Sequence, residues 1–134
     1  MGKLHSIILH LTVAALCFAL LIKDLYHRQG NSTVISKSGD FLIEHVPAGG
    51  ILFPFGGTSF LKFTTTSSPT CSYRTPLFST QYLDMRVYED SQTVGVTWVD
   101  FQKDMKVFLI AIPDWEDHWI NIFISDTPYT VLQN

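Results

Sequence analysis

The sequence predicts one N-terminal transmembrane helix followed by a single all-β domain. The chain begins with a long apolar run that carries no formal charge, and the remainder alternates short apolar segments with turns rich in glycine and proline. Its 134 residues suffice for one domain. We therefore divide the chain into an anchor helix with a juxtamembrane linker, residues 1–30, and a β-rich domain, residues 31–134.

The apolar run extends from Leu4 to Ile22, with a lysine on each side. As a helix, these 19 residues would span about 28 Å, close to the hydrocarbon thickness of about 30 Å. A cleaved signal peptide is the alternative, with Cys17 and Ala19 as the small residues before the cleavage site. The run continues past Ala19, which favours an uncleaved anchor. Residues 1–6 also fit the myristoylation pattern, which a spanning helix does not need.

Polar and small residues within the apolar run indicate contacts between helices. His10 lies about one turn inside the span, where its ring either bonds a backbone carbonyl or marks a contact with a neighbouring helix. Thr12, Ala15 and Ala19 provide small side chains that let another helix approach closely. The predicted partners of the anchor are therefore the lipid bilayer and the helices of other membrane protein subunits.

The charges beside the run are nearly balanced, so they do not decide which side of the membrane the domain occupies. A short N-terminal tail before an uncharged run is typical of a signal anchor with an exoplasmic C-terminal domain. Asn31 begins an Asn-Ser-Thr sequon, which is glycosylated only in such a compartment, although the same residues also suit a polar linker. We predict a single-pass membrane protein whose domain is lumenal, extracellular or periplasmic.

The net charge of the domain limits its possible partners, and its cysteine content limits how it is stabilised. Residues 1–30 carry a net charge of +2, and residues 31–134 carry a net charge of −5. Because an acidic domain does not bind a phosphate backbone, nucleic acid is excluded as a partner. Cys71 is the only cysteine outside the apolar run, so internal disulfides do not hold the domain together.

The β domain is predicted to be an antiparallel sandwich or small barrel of about seven or eight strands. Residues 82–88 give the clearest strand, because apolar and polar side chains alternate along them. Residues 106–112, which are continuously apolar after Lys106, predict a central strand covered on both faces. We expect two buried faces: Leu83, Met85 and Val87 on one strand, and Val107, Leu109 and Ala111 on the other. Further strands are predicted at 41–46, 51–55, 59–66, 93–101, 119–125 and 129–132, with a long loop at 67–76 and no helix after residue 30.

The densest polar cluster is residues 114–118, Asp-Trp-Glu-Asp-His. Its spacing matches neither a calcium loop nor a zinc motif, and a solvated turn between apolar strands explains it. A blue-copper site fails because no histidine shortly follows Cys71. The sequence contains no nucleophile elbow, phosphate loop or cysteine pair. We therefore predict no catalytic residue, no cofactor and no metal.

Trp115 and Trp119 flank the acidic turn and are the predicted partner contacts, although aromatic residues also fill β cores. The leading hypothesis is a non-catalytic accessory or structural subunit of a larger membrane protein complex. The alternative is a membrane-tethered binding module for a glycan, lipid or peptide. A third hypothesis is an enzyme that uses the carboxylates of the acidic turn.

Overall fold

The computed structural model describes residues 2–132. Helix α1, Gly2–Tyr26, confirms the predicted N-terminal helix and extends it by one turn past Ile22. Its 25 residues measure about 37 Å, and the helix is long and apolar enough to cross a membrane. Residues 2–17 are exposed, so no other described part of the chain covers them.

After this helix, ten strands within residues 2–132 form two open sheets. The first sheet contains β1 Ser32–Ile35, β2 Phe41–Pro47, β3 Thr58–Thr65, β4 Ser72–Arg74 and β5 Phe78–Ser79. The second contains β6 Tyr88–Glu89, β7 Thr93–Val96, β8 Val99–Gln102, β9 Val107–Ile110 and β10 Tyr129–Val131. The strand orders are β1-β2-β3-β4, with β5 also paired to β3, and β10-β9-β8-β7-β6. Within residues 2–132 the strands close no barrel, which leaves the barrel alternative without support.

One pairing departs from the predicted antiparallel arrangement. Strand β10 pairs with β9 in parallel, whereas the other neighbouring strands are antiparallel. A parallel pair requires a crossover connection, because a tight hairpin reverses the chain direction. Residues 111–128 make this crossover, and they contain the acidic turn and a one-turn helix, α2 Asn121–Ile124. This crossover places α2 on the side of the domain where α1 ends.

The first core contains buried side chains from both sheets. The ring of Phe101 in β8 lies 5.8 Å from that of Phe63 in β3 and 5.1 Å from that of Phe108 in β9. The same core also buries Ile43, Leu61, Phe78, Val94, Val96, Val99, Ile110 and Ile112. Burial of these apolar side chains is the main force that holds the two sheets together.

A polar contact also joins the two sheets. Glu89 in β6 accepts hydrogen bonds from the backbone N–H of Ser38 at 2.6 Å and from its hydroxyl at 2.8 Å. Lys103 lies 2.8 Å from the same carboxylate. Burial opposes the charged form of Glu89, but the bonds from Lys103 and Ser38 outweigh it and lower the pKa to about 2. The turn before β2 is thereby fixed to the second sheet.

The second core joins α1 to the domain. Leu25, in the last turn of α1, is only 1% exposed, and Ile22 and Tyr26 are packed against the same cluster. The domain side of this core consists of Val46, Ala48, Phe53, Phe60, Leu77, Ile120 and Ile124. The end of the predicted anchor is therefore also part of the domain's interior. The division of the chain at residue 30 stays a prediction.

Three of the predicted strands are wrong, those at 51–55, 82–88 and 119–125. Tyr82 ends a 3₁₀ helix, Thr80–Tyr82, and residues 83–87 after it are irregular, although the apolar side chains of this segment still pack against the first core. Residues 119–125 contain α2 instead of a strand. The buried Ile120, which immediately precedes α2, and Ile124, which ends it, are four residues apart, which is the helical spacing. The prediction that no helix follows residue 30 is therefore also wrong.

Other strand boundaries differ from the predicted ones because local turns interrupt the strands. The predicted strand 93–101 is two strands, β7 and β8, joined by a tight turn in which Trp98 has a φ of 73°. Position 95 in β7, just before this turn, requires glycine because a Cβ would lie 2.4 Å from the carbonyl oxygen of Val99. Residues 51–55 form turns and no strand. The predicted loop 67–76 contains β4.

The predicted buried face of β9 is the wrong one. Phe108, Ile110 and Ile112 are buried, whereas Val107, Leu109 and Ala111 are half-buried. A continuous apolar run does not reveal which of its two faces meets the core, because both faces carry the same kind of side chain. The other predicted face, Leu83, Met85 and Val87, is partly buried.

Candidate functional site at the end of the anchor helix

A buried arginine fixes the end of α1 to the β domain. The Arg74 side chain donates from Nη1 to Asp126 at 2.8 Å and from Nε to the backbone carbonyl of Tyr26 at 3.0 Å. Its guanidinium carbon lies 3.7 Å from the centre of the Tyr26 ring, and the Tyr26 hydroxyl donates to Asp126 at 3.0 Å. The Arg74 backbone N–H also donates to Asp126, at 2.7 Å. These three side chains link α1, β4 and the end of α2.

A second arginine holds the first residues after α1. Arg28 donates to the carboxylate of Asp24, four residues earlier, at 2.7 Å. It also donates to the backbone carbonyl of Pro47, the last residue of β2, at 3.0 Å and to that of Gly49, just beyond the strand, at 3.3 Å. The exit from the helix is therefore bonded to the domain, and it does not form a free linker.

An exposed apolar surface lies beside α1, at the level of the predicted span. Phe18, within the apolar run, stacks on Trp119 with ring centres 5.9 Å apart and meets Phe123 edge-on at 5.5 Å. Trp119 is nevertheless 62% exposed, and Ile122 in α2 is 78% exposed. A groove of about 360 Å³ runs between α1 and Phe123 and is lined by Phe18, Ala19, Ile22, Lys23, Tyr26 and His27.

A second exposed loop lies against another side of α1. Ile51 and Leu52 line a hollow of about 190 Å³ together with Leu21 and Leu25 of the helix. Ile51 and Phe55, in this loop, are strongly exposed, while Phe53 between them is buried beside the ring of His118, 5.1 Å away. We call the five exposed apolar residues of the two loops, Ile51, Phe55, Trp119, Ile122 and Phe123, the apolar collar.

The predicted helix-contact residues are all exposed on α1, and each polar one is bonded within its own helix. His10 Nδ1 lies 2.6 Å from the carbonyl oxygen of Ser6, and Thr12 donates to the carbonyl of Ile8 at 2.8 Å. Ala15 has no intrachain cover, and Ala19 lines the groove beside Phe123. Their contact with another helix stays a prediction.

The two predicted partner-contact tryptophans differ in their surroundings. Trp119 belongs to the apolar collar, whereas Trp115 is half-buried and packs against Tyr129 with ring centres 6.3 Å apart. Trp115 donates from Nε1 to Asp117 at 3.1 Å, and the Tyr129 hydroxyl donates to the same oxygen at 2.7 Å. Burial and the neighbouring Asp117 raise the pKa of Tyr129 to about 12. Contact of either tryptophan with a partner stays a prediction.

The acidic turn lies between two surface hollows. One measures about 470 Å³ and the other about 600 Å³, and both are lined by Asp114 and Trp115. Asp117 is bonded to the two aromatic side chains, and His118 Nδ1 accepts the backbone N–H of Ile120 at 3.2 Å. Among residues 2–132, no group of three or more histidine, cysteine or acidic side chains is placed to hold a metal ion. The hollows offer aromatic and carboxylate surface to a ligand.

No protein family, curated protein or solved structure matches this chain.

One buried network of polar side chains has no counterpart among the residues predicted from the sequence. His45 Nε2 in β2 lies 2.7 Å from the Ser59 hydroxyl in β3, which lies 2.6 Å from that of Thr80. A serine beside a histidine is the arrangement of an activated nucleophile, but Ser59 has no exposed surface for a substrate to reach. Burial lowers the pKa of His45, because desolvation disfavours the charged imidazolium. No sequence motif links these residues, since only the pairing of β2 with β3 brings them together.

Asn31 lies at the surface just before β1, and the other two residues of its sequon begin that strand. The Asn31 side chain is exposed, and its backbone N–H donates to the carbonyl of His45 at 2.9 Å. The chain from Lys23 to Asn31 is held against the domain by Arg28, so the sequon lies close to the end of α1. Its use as a glycosylation site stays a prediction.

Proposed function

We propose that this chain is a non-catalytic accessory subunit of a membrane protein complex. In this proposal α1 crosses the bilayer once, and the β domain lies on the exoplasmic side. The two open sheets stack as a β-sandwich, since their buried side chains meet in the first core. The helix packs against a helix of another subunit and holds the domain in a fixed position on it.

The bonded junction between α1 and the domain is the observation that carries this proposal. A simple tether needs only a flexible linker, because its task is to keep a domain near the membrane. Here Leu25 is buried in the domain, and Arg74 binds the carbonyl of Tyr26 at 3.0 Å. A helix bonded in this way transmits its own orientation to the domain. That property serves a subunit that must present one face of its domain to a neighbouring protein.

The exposed length of α1 offers a face for a partner helix. At about 100° per residue, Thr12, Ala15 and Ala19 lie within about 60° of one another around the helix. Ala14 lies about 100° from Ala15 and points away from this face. Small side chains allow helices to pack closely in lipid, where van der Waals contact drives association. The single candidate span among residues 2–132 leaves this face open to other proteins.

We expect Ala15→Leu to release the chain from its complex while leaving it in the membrane. Leucine keeps the span apolar but separates the two helices, so contact along this face is lost. The measurement is the apparent mass of the complex that holds the tagged chain, by native gel electrophoresis of membranes solubilised in a mild detergent. Ala14→Leu is the matched control and should leave that mass unchanged. Equal behaviour of the two variants would contradict a specific helix contact.

We expect Cys71 to react with a membrane-impermeant maleimide added outside intact cells or sealed vesicles of exoplasmic-out orientation. Cys71 is exposed in the loop before β4, whereas Cys17 lies in the predicted span. Labelling should disappear in Cys71→Ser and persist in Cys17→Ser. Labelling that requires permeabilised membranes would place the domain on the cytoplasmic side.

The hollows beside Trp115 favour a second candidate function, a membrane-tethered binding module. Their aromatic and carboxylate lining suits a glycan or a peptide. A binding module would tolerate replacement of residues 4–17 by an unrelated apolar helix, since these residues are exposed and lie outside the second core. The accessory subunit would lose its complex in the same replacement. Residues 18–26 must be retained in both cases because they form part of the second core.

A further inference from the structure

We propose that the apolar collar inserts into the bilayer, so that the domain lies against the membrane surface instead of standing clear of it. This inference rests on the proposed transmembrane course of α1. The lipid is the occupant of the surface formed by Trp119, Ile122 and Phe123 beside the helix and by Ile51 and Phe55 in the second loop. The domain then has two membrane attachments, the spanning helix and its own loops.

The depth of Phe18 along α1 carries the argument. From Leu4, a hydrocarbon core of about 30 Å takes about 20 residues and therefore ends near Lys23, the first charged residue after the run. A tilt of about 20° shortens this span by less than a tenth. Phe18 then lies about 7 Å inside the hydrocarbon boundary. Trp119 and Phe123, which contact the Phe18 ring, must lie at a similar depth.

An opposite arrangement, with the whole domain in water, does not fit the helix length. If the bilayer ended before Phe18, only residues 4–17 would remain inside it. Those 14 residues span about 21 Å, well short of the hydrocarbon core. The apolar residues from Phe18 to Ile22 would also be left in water. The contact between Phe18 and Trp119 therefore brings this edge of the domain into the lipid.

The chemistry of the collar and its surroundings suits this position. Residues 119–125 carry no charge, and tryptophan is enriched where hydrocarbon meets headgroups. Lys23 lies on the helix at the calculated boundary and Arg28 lies just past the end of the helix, where their side chains can meet lipid phosphates. The domain as a whole is acidic, so a membrane contact must be made through an uncharged surface such as this one.

Tryptophan quenching in lipid tests the proposal on the full-length chain. The protein is reconstituted into phosphatidylcholine nanodiscs whose lipids are brominated near the top of the acyl chains, which quench only nearby indoles. We expect partial quenching of the wild-type emission. Trp119→Phe should abolish this quenchable component, and Trp98→Phe, which alters an exposed turn in the second sheet, should retain it. Iodide in the water should quench the emission of Trp98 and leave that of Trp119 unaffected.

The outcomes separate this inference from the proposed function. Loss of bromolipid quenching in Trp119→Phe, with retention in Trp98→Phe, supports insertion of the collar. If the wild-type protein resists alkaline carbonate extraction but bromolipid does not quench Trp119, the helix spans the membrane and the collar inference is overturned. Quenching of Trp119 by iodide instead would show that the collar is a water-exposed docking surface for a protein, which also overturns it. Extraction by carbonate would refute the span itself.

Discussion

Ile110→Asp should unfold the β domain. Ile110 is 1% exposed in β9 and lies in the first core between the two sheets. An ionised carboxylate without a partner costs several kcal/mol in such a site, comparable with the whole stability of a small domain, about 5–15 kcal/mol. Loss of the cooperative near-UV circular dichroism transition of the full-length protein in mild detergent would measure this effect.

A control in the same strand tests whether the buried face of β9 is assigned correctly. Val107 is half-buried on the opposite face, next to Gln102 in β8. Val107→Asp leaves its carboxylate partly hydrated, so we expect a loss of only about 1–2 kcal/mol. The reverse order, with Val107→Asp unfolding the domain and Ile110→Asp tolerated, would show that the two faces are exchanged.

Arg74→Leu should detach the end of α1 from the domain and lower the free energy of unfolding by about 2–4 kcal/mol. The variant leaves Asp126 without its cation and the Tyr26 carbonyl without its donor. The expected loss lies at the lower end of the range for buried pairs because the Asp126 side chain is 24% exposed. Chemical denaturation in mild detergent measures the stability, and limited trypsin digestion detects release of the helix.

Two companion variants separate the charge from the other contacts of Arg74. Tyr26→Phe removes the hydroxyl bond to Asp126 and retains the ring under the guanidinium, so we expect a loss of about 1 kcal/mol. Arg74→Lys keeps the charge but cannot reach both acceptors with the same planar geometry, so its stability should fall between the two. New tryptic cleavage after Lys23 or Arg28 should appear in Arg74→Leu alone. Unchanged stability and digestion of Arg74→Leu would contradict the role of this cluster.

The anchor helix was predictable because its signal is local. An uncharged, largely apolar run of 19 residues crosses a membrane as a helix, because a helix satisfies every backbone polar group internally. The longer hairpin strands β2 and β3 were also predictable, because apolar patterning and glycine turns delimit them without reference to the rest of the chain.

Residues 82–87 and 119–125 were not predictable from pattern alone. Alternation of apolar and polar side chains records which side chains are buried, but a strand also needs a neighbour for its backbone hydrogen bonds. In residues 82–87 that neighbour is absent within the described chain, and pairing begins only at β6. In 119–125, the side chain of Asn121 accepts the backbone N–H of Leu77 at 2.7 Å, a bond that fixes the α2 turn from a distant part of the chain.

In the candidate site too, some residues were predictable from the sequence, but the contacts between them were not. Trp119 was singled out from the sequence as a predicted partner contact flanking the acidic turn, but its contact with Phe18 joins residues about one hundred positions apart. The same is true of Tyr26 and Asp126, which meet only because β10 crosses over to pair with β9. No local pattern encodes such a contact, since it depends on how the sheets and the helix end are packed.

The sequence by itself determined that an apolar helix precedes a β-rich domain, because helix length and strand patterning are properties of consecutive residues. Only the tertiary structure decided which face of β9 is buried, that residues 119–125 turn as a helix, and that Arg74 binds the end of α1. These features depend on side chains that are far apart in the sequence and share one core. Their free energies come from burial and from hydrogen bonds that form when the two sheets and the helix meet.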